Sequence, residues 1–367
     1  MIDKLKIAVV AGARPNFMKI APLIKAFEAH NSQGEGRRIG WQLIHTGQHY
    51  DAKMSEIFFA ELGIPAPDIN LEVGSGSHAA QTAGIMAAFE PVLEHSKPDW
   101  VVVVGDVNST MACTLVAAKM GIRVAHVEAG LRSYDRTMPE EINRVVTDSL
   151  ADLLLTPSED ANDNLRKEGI PASKIRLVGN IMIDSVMTHL QSGSNGRVLE
   201  QLKLEDKNFL YVTLHRPSNV DRRESLRAIV NELDTISKQL PVVFPLHPRT
   251  RQRMKEFEIA FEPGNGVQIL EPIGYNDSLA LTKHARCVLT DSGGLQEEST
   301  FFGTPCLTLR PNTERPITIH VGSNRLTQLE TLRSDLRNAV ANGRQSQVPP
   351  LWDGKTAERI VQCLLDA

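Results

Sequence analysis

Charged and titratable residues in this chain fall repeatedly at one kind of place, directly after short β-branched runs. Arg14 comes shortly after the run at 6–10, Asp106 after the run at 100–104, and Glu128 after the run at 123–127. Further on, His215 follows FLYVTL, His247 follows VVFPL, and Asp291 with Ser292 follows CVLT. Ligands of open parallel sheets gather at the carboxyl ends of the strands. One such coincidence would mean little, because loops are polar anyway. Repeated along both halves of the chain, it points to two strand-end faces serving one ligand.

The residue types then suggest chemistry. Asp106, Glu128 and the pair Glu140-Glu141 in TMPEEINR bring several carboxyl groups to one site. Carboxyls held at different pKa values supply both a general acid and a general base. Each acid alone would equally suit a helix cap or an ion pair. His215 and His247, each followed within two residues by Arg and Pro, are of a type that titrates or binds phosphate. A lone strand-end histidine is more commonly a plain hydrogen-bonder.

Two strand-to-helix loops look ready for an anion. In GARPNFMK (12–19), Arg14 and Lys19 sit near a helix start, where acidic residues are normally preferred. A bound anion would relieve that mismatch, and a solvated basic turn is the plain alternative. In DSGGLQEE (291–298), Gly293 and Gly294 let backbone N–H groups approach a phosphate closely. Glu298, about one turn in, can accept bonds from ribose hydroxyls, while Ser292 also suits a simple N-cap. Neither loop is followed by GK[ST], which disfavours NTP hydrolysis. The segment GSGSHA (74–79) nominally fits a dinucleotide fingerprint but lacks a convincing strand before it, so it reads as a turn. The sequence holds no HExxH, EF-hand loop or Cys/His cluster, and no metal is expected.

These residues need a frame. The β-branched runs alternate with helix-period segments and are apolar throughout, the pattern of a parallel sheet covered on both faces. Strands are expected at 6–10, 41–45, 100–104, 123–127 and 153–156, and again at 208–214, 242–246, 267–270, 287–290 and 305–308. Between the two series lies QSGSNGR (191–197), with the composition of a connector. The chain therefore reads as two doubly wound α/β domains, 1–180 and 181–354, with a helix at 355–367 that packs back on the first. Its 367 residues suit two domains. The 40 Lys and Arg against 44 Asp and Glu leave a net charge of −4, too little basic excess for a nucleic-acid or anionic-membrane partner. No apolar run approaches the roughly 18 residues of a membrane span. The amino terminus lacks the pattern of a signal peptide. The four cysteines are scattered without a CxxC pair, so the cytoplasm is the expected location.

Taken together, GARPNFMK, HTGQHYD, GDVNST, HVEAGLRS, MPEEINR, LHRPSN, HPRTR, TDSGGLQEE and TERP stand in the order and spacing of one family. From about Lys6 to Leu326 the chain resembles the non-hydrolysing UDP-N-acetylglucosamine 2-epimerases. The resemblance implies a GT-B-like fold, two Rossmann-like domains with the nucleotide sugar in the cleft between them, and a homodimer. It implies interconversion of UDP-GlcNAc and UDP-ManNAc by elimination of UDP to a 2-acetamidoglucal and re-addition, without a cofactor. By motif, Asp106, Glu128 and Glu140 match the catalytic acids, with His215 beside them and Lys19 as the cleft lysine. Arg14, Arg144, His247, Ser292, Gly293, Gly294, Glu298 and Arg315 match positions that hold the nucleotide sugar.

The chain departs from the family pattern in two places. Many bacterial members carry Arg-Pro-Gly-Gln where this chain reads EVGSGS (72–77), and there the arginine helps bind a second, activating UDP-GlcNAc. Gln48, His49 and Arg216, also of that region, are retained. After Arg315-Pro316 stands Ile317, where several members have Glu. Relatives of the same pattern act on UDP-sugars with a 3-acetamido group or a C6 carboxylate, so a UDP-2,3-diacetamido uronic acid is an alternative substrate. A GT-B glycosyltransferase is the alternative of another class, but it has no need of several carboxylates around C2.

Overall fold

A computed structural model of the chain describes residues 4–34, 36–47, 63–191, 197–262, 264–341 and 347–367. Gln48 and His49 lie outside the described residues. The chain divides into two compact units, Met1–Ser185 with Pro350–Ala367, and Val186–Pro349.

The first unit is built on strands β1 (Lys4–Ala11), β2 (Arg38–His45), β3 (Ile69–Asn70), β4 (Trp100–Val104), β5 (Arg123–Val127), β6 (Leu153–Thr156) and β7 (Ile175–Leu177). They form one parallel sheet in the order β3-β2-β1-β4-β5-β6-β7. The central strand β4, WVVVV, is buried along its whole length. Val101 and Val103 pack against Ile85, Phe89 and Leu93, which recur every fourth residue on the helix His78–Ser96. Burying a side chain of this size stabilises the fold by about 1.5–3 kcal/mol. Ser77 caps that helix, its Oγ accepting the Ala80 N–H at 3.2 Å, so the GSGSHA segment leads into a helix start. The C-terminal helix Thr356–Asp366 belongs to this unit. Asp184 accepts the Thr356 and Ala357 N–H groups at 3.1 and 2.7 Å, and Trp352 Nε1 donates to the Pro157 carbonyl at 3.1 Å.

The second unit repeats the plan with β8 (Leu210–Thr213), β9 (Val242–Pro245), β10 (Val267–Leu270), β11 (Cys287–Thr290), β12 (Cys306–Leu309) and β13 (Asn324–Thr327). Its parallel order is β10-β9-β8-β11-β12-β13. Successive side chains point to opposite faces of a strand. Leu210, Val212 and Leu289 accordingly join one core with Leu226, Ile229 and Leu233, while Tyr211 and Val288 join another with Ala280, Leu281 and Leu295. Both faces of the sheet are buried at its inner strands β9, β11 and β12, every residue of which is buried.

In each sheet the strand order reverses beside the first strand, between β1 and β4 and between β8 and β11. Side chains at the carboxyl ends of those strands face the crevice where doubly wound sheets bind ligands.

Candidate active site

In the first unit the loop after β1 opens the helix Arg14–Gln33, with Pro15 in its first turn. Asn16 holds this loop shut. Its Oδ1 accepts the Ala13 N–H at 2.9 Å, and its Nδ2 donates to the Val104 carbonyl at 2.7 Å, tying β1 to β4 across the switch point. Lys19, one turn further, reaches the Glu128 carboxylate and forms an ion pair with it. The basic helix start thus meets an internal anion. Arg14 begins the helix, but its side chain lies outside what the structure describes. Glu128 itself sits in the left-handed region at φ 72°, its N–H bonded to the Leu155 carbonyl at 3.0 Å. Few side chains adopt such a φ without being forced, and forced backbones cluster at functional sites.

Asp106 ends β4 and forms an ion pair with Arg144, a buried residue of the helix Pro139–Leu150. That guanidinium is oriented from behind by Glu141, whose Oε2 takes Arg144 Nε at 3.0 Å and Nη2 at 2.7 Å. Glu141 also accepts the N–H groups of Ser133 at 2.9 Å and Tyr134 at 2.8 Å. Burial raises its pKa, but those N–H groups and the guanidinium outweigh burial and hold the carboxyl below its ordinary value. Glu140, on the first turn of the same helix, is half-buried. Among the described residues its carboxylate has no hydrogen bond or ion pair.

In the second unit Asp291 organises the strand ends. Its carboxylate accepts the backbone N–H groups of His215 and Arg216 at 3.0 and 2.8 Å and Asn219 Nδ2 at 2.9 Å, and His215 Nδ1 stands 3.0 Å away. Burial works to raise Asp291, but the His215 ring, Asn219 and the Arg216 N–H bring it below the carboxylate range. The carboxylate therefore fixes Nδ1 of His215 as the donor and sets the ring plane. The ring of His247 lies 5.2 Å from that of His215. Burial, reinforced by the His215 charge, lowers His247 below its usual range. Its Nδ1 accepts the Arg249 N–H at 3.2 Å and caps the helix Pro248–Glu256.

Ser292, Gly293 and Gly294 open the helix Gly293–Phe302. The first N–H groups of a helix have no partner within it and suit an anion. The Ser292 side chain makes no capping bond, and its N–H donates to Thr290 Oγ1 at 2.9 Å. A Cβ on Gly293 would stand 2.5 Å from Arg315 Nη1, so a side chain there would displace that guanidinium. Arg315 is buried against this loop between Glu297 at 2.8 Å and Glu314 at 2.5 Å, and Glu314 also holds Arg310 at 2.8 Å. Motif reasoning reached Arg315 but not the two glutamates that orient it. Glu297 lies in the helix Gly293–Phe302, and Glu314 in the loop directly before Arg315.

Glu298 is buried one turn into the helix. Burial pushes its carboxyl up to about 8 from an ordinary 4.5, and the neighbouring Glu297 charge adds to the rise. Between those two values the folded protein holds a proton that the unfolded chain has released, so stability falls as pH rises. Urea midpoints taken at pH 5.5 and 7.5 should decline more in the wild type than in Glu298→Gln. Equal slopes would refute the buried acid.

Two doubly wound parallel sheets, with acids and cations at their switch-point strand ends and a Ser-Gly-Gly helix start, define a GT-B-like nucleotide-sugar enzyme. The family model described as UDP-N-acetylglucosamine 2-epimerase matches residues 33–365, and the chain belongs to that family. The UDP-N-acetylglucosamine 2-epimerase of Methanocaldococcus jannaschii is 43% identical over 98% of this chain and 99% of its own. The UDP-2,3-diacetamido-2,3-dideoxy-D-glucuronate 2-epimerase of Pseudomonas aeruginosa is 42% identical over 98% of this chain and 99% of its own. The crystal structure of the M. jannaschii enzyme in complex with UDP-GlcNAc and UDP superimposes with a TM-score of 0.89, covering 99% of this chain and 100% of that one at 42% identity. Among the described residues no helix is long and apolar enough to cross a membrane.

Proposed function

We propose that this protein inverts C2 of UDP-GlcNAc to give UDP-ManNAc, with Asp106, Glu128 and Glu140 as the acids that move the C2 proton. The observation that carries the reading is the seating of Asp106 and Glu128 at the ends of neighbouring strands, each paired with a buried cation. The C2 proton is not adjacent to a carbonyl, so no enolate is available to acidify it. Departure of UDP must first build positive charge at C1, which makes C2–H acidic enough for a carboxylate. Elimination gives a bound 2-acetamidoglucal, and UDP adds back to C1 while a proton arrives at C2 from the opposite face. Inversion thus needs donors on both faces, which several acids supply. Lys19 and Arg144 orient the acids. The helix start at Ser292–Gly294, with Arg14 and Arg315, stabilises the diphosphate as it leaves. Glu298 takes the ribose, and His215 and His247 stand beside the phosphates. Proton NMR of the purified protein with UDP-GlcNAc and no acceptor tests the reading. UDP-ManNAc should accumulate; free ManNAc would indicate a hydrolysing enzyme, and an unchanged spectrum would overturn the substrate.

The second reading is the same inversion on a UDP-2,3-diacetamido uronic acid. It is favoured by the 42% identity of the Pseudomonas enzyme, almost the same as that of the M. jannaschii one. Offering both sugars in one assay separates the two. The protein is further proposed to work as a homodimer in the cytoplasm, a location supported by four unpaired cysteines.

Regulation follows from the segment 72–77, which has no arginine. Rate against UDP-GlcNAc should be hyperbolic, and UDP-ManNAc alone should be consumed without an activator. A sigmoidal curve would mean that another residue replaces the missing arginine.

A further inference from the structure

Behind the two acid-bearing turns of the first unit lies a row of hydrogen-bonded polar side chains. His126, the fourth of the five residues of strand β5, is fully buried. Its Nδ1 stands 2.6 Å from Asp148 Oδ1 and its Nε2 stands 2.8 Å from the Gly105 carbonyl. A carbonyl oxygen only accepts. Asp148 is an ionised acceptor as well: burial works to raise it, but His126 and Arg132 outweigh that and bring it below the carboxylate range. The carbonyl makes Nε2 the donor, and Nδ1 meets the Asp148 carboxyl. The second oxygen of Asp148 takes the Gly130 N–H at 3.0 Å and Arg132 at 2.7 Å. Arg132 continues to Glu168 through two bonds of 2.7 Å. The row thus runs from the buried His126, Asp148 and Arg132 out to Glu168, whose side chain is one-third exposed.

The backbone atoms it grips are not arbitrary. Gly105 immediately precedes Asp106, and Gly130 stands two residues after Glu128. Gly130 has a φ of 81°, and a Cβ on it would lie 2.5 Å from the Ala161 carbonyl, so the turn as built admits no side chain there. Asp148 shares a helix with Glu140 and Arg144, at four-residue spacing along one side. One helix therefore holds the Asp106 side chain through Arg144, and the Asp106 backbone through Asp148 and His126.

We propose that His126 and Asp148 are a positioning pair, a hydrogen-bonded histidine–carboxyl couple that sets the attitude of Asp106 and Glu128 through the Gly105 carbonyl and the Gly130 N–H. The inference rests on the reading of Asp106 and Glu128 as catalytic acids. His126→Asn keeps a donor for Asp148 but is too short to reach Gly105, while His126→Gln extends to that carbonyl. The Asn variant should lose about tenfold to a hundredfold in kcat, the scale of a misplaced reacting group, with KM nearly unchanged, and the Gln variant should recover most of the loss. In the wild type, nitrogen-15 NMR should find the His126 Nε2 protonated, as its bond to the Gly105 carbonyl requires. A ring carrying its proton on Nδ1 alone overturns the couple, and this readout needs no variant that folds. Asp106→Asn and Glu128→Gln run alongside. Full turnover in these two would overturn the assignment of the acids, which the ring spectrum does not depend on. Loss of turnover in them, with kcat unchanged in both His126 variants, overturns the positioning pair itself.

Discussion

Glu128→Gln and Asp106→Asn should each lower turnover by about a hundredfold or more, the range that general acid–base groups supply. A hundredfold corresponds to about 2.7 kcal/mol of transition-state stabilisation. UDP affinity should stay largely intact, because most of the proposed diphosphate ligands, Ser292–Gly294 and Arg315, lie in the other unit. Isothermal titration with UDP alongside steady-state kinetics separates the two effects. An equal loss of UDP affinity and turnover would make these residues binding groups and not proton carriers. Isotope content gives a second check. Product formed in heavy water should carry deuterium at C2, since the proton removed from one face is not the one delivered to the other. A variant impaired in re-addition should also release 2-acetamidoglucal and UDP. UDP-ManNAc with protium at C2 after complete conversion would count against elimination and re-addition, because hydride transfer by a bound nicotinamide retains the original hydrogen.

How far the sequence alone reached can be seen strand by strand. β4, β5, β6, β10 and β11 agree with the runs of apolar residues to the residue. The three strands that periodicity did not reveal, β3, β7 and β13, are all edge strands. An edge strand has a neighbour on one side only, so its composition is less constrained, and IRL or NRLT carries no clear signal. The site divides in the same way. Asp106 and Glu128 were legible because each directly follows a strand that is itself legible. Arg144 and Arg315 came from motif order, but what holds them did not. Glu141, Glu297 and Glu314 touch their arginines through helix phase and loop shape, which single-chain spacing fixes only once the helices are in place. His126 was visible as a polar residue inside RVAHV. Its partner Asp148 lies 22 residues on, and their pairing depends on how the helix Pro139–Leu150 lies against β5.

The residue with the largest expected effect on stability is Glu141. Its carboxylate meets Arg144 and the N–H groups of Ser133 and Tyr134 in a site that is almost wholly buried. Removing one partner of a buried ion pair leaves the other charge without compensation, at a cost of about 3–5 kcal/mol. Glu141→Ala should therefore lower Tm by roughly 6–20 °C, at 2–4 °C per kcal/mol for a domain of this size. The pH dependence has a definite sign. The folded-state pKa of Glu141 is depressed, so its contribution is present above the ordinary 4.5 and is lost as pH falls through the folded value. The gap in Tm between wild type and Glu141→Gln should accordingly be wide at neutral pH and close in acid. Replacing both members, Glu141→Leu with Arg144→Met, should recover much of the stability, since two apolar side chains leave no buried charge. It should recover none of the turnover, because Asp106 then has no guanidinium to hold it. Scanning calorimetry and initial rates on the three variants decide the matter. Wild-type melting in Glu141→Ala would show that the carboxylate is dispensable to the fold. Turnover restored in the double variant would show that Arg144 does nothing for Asp106.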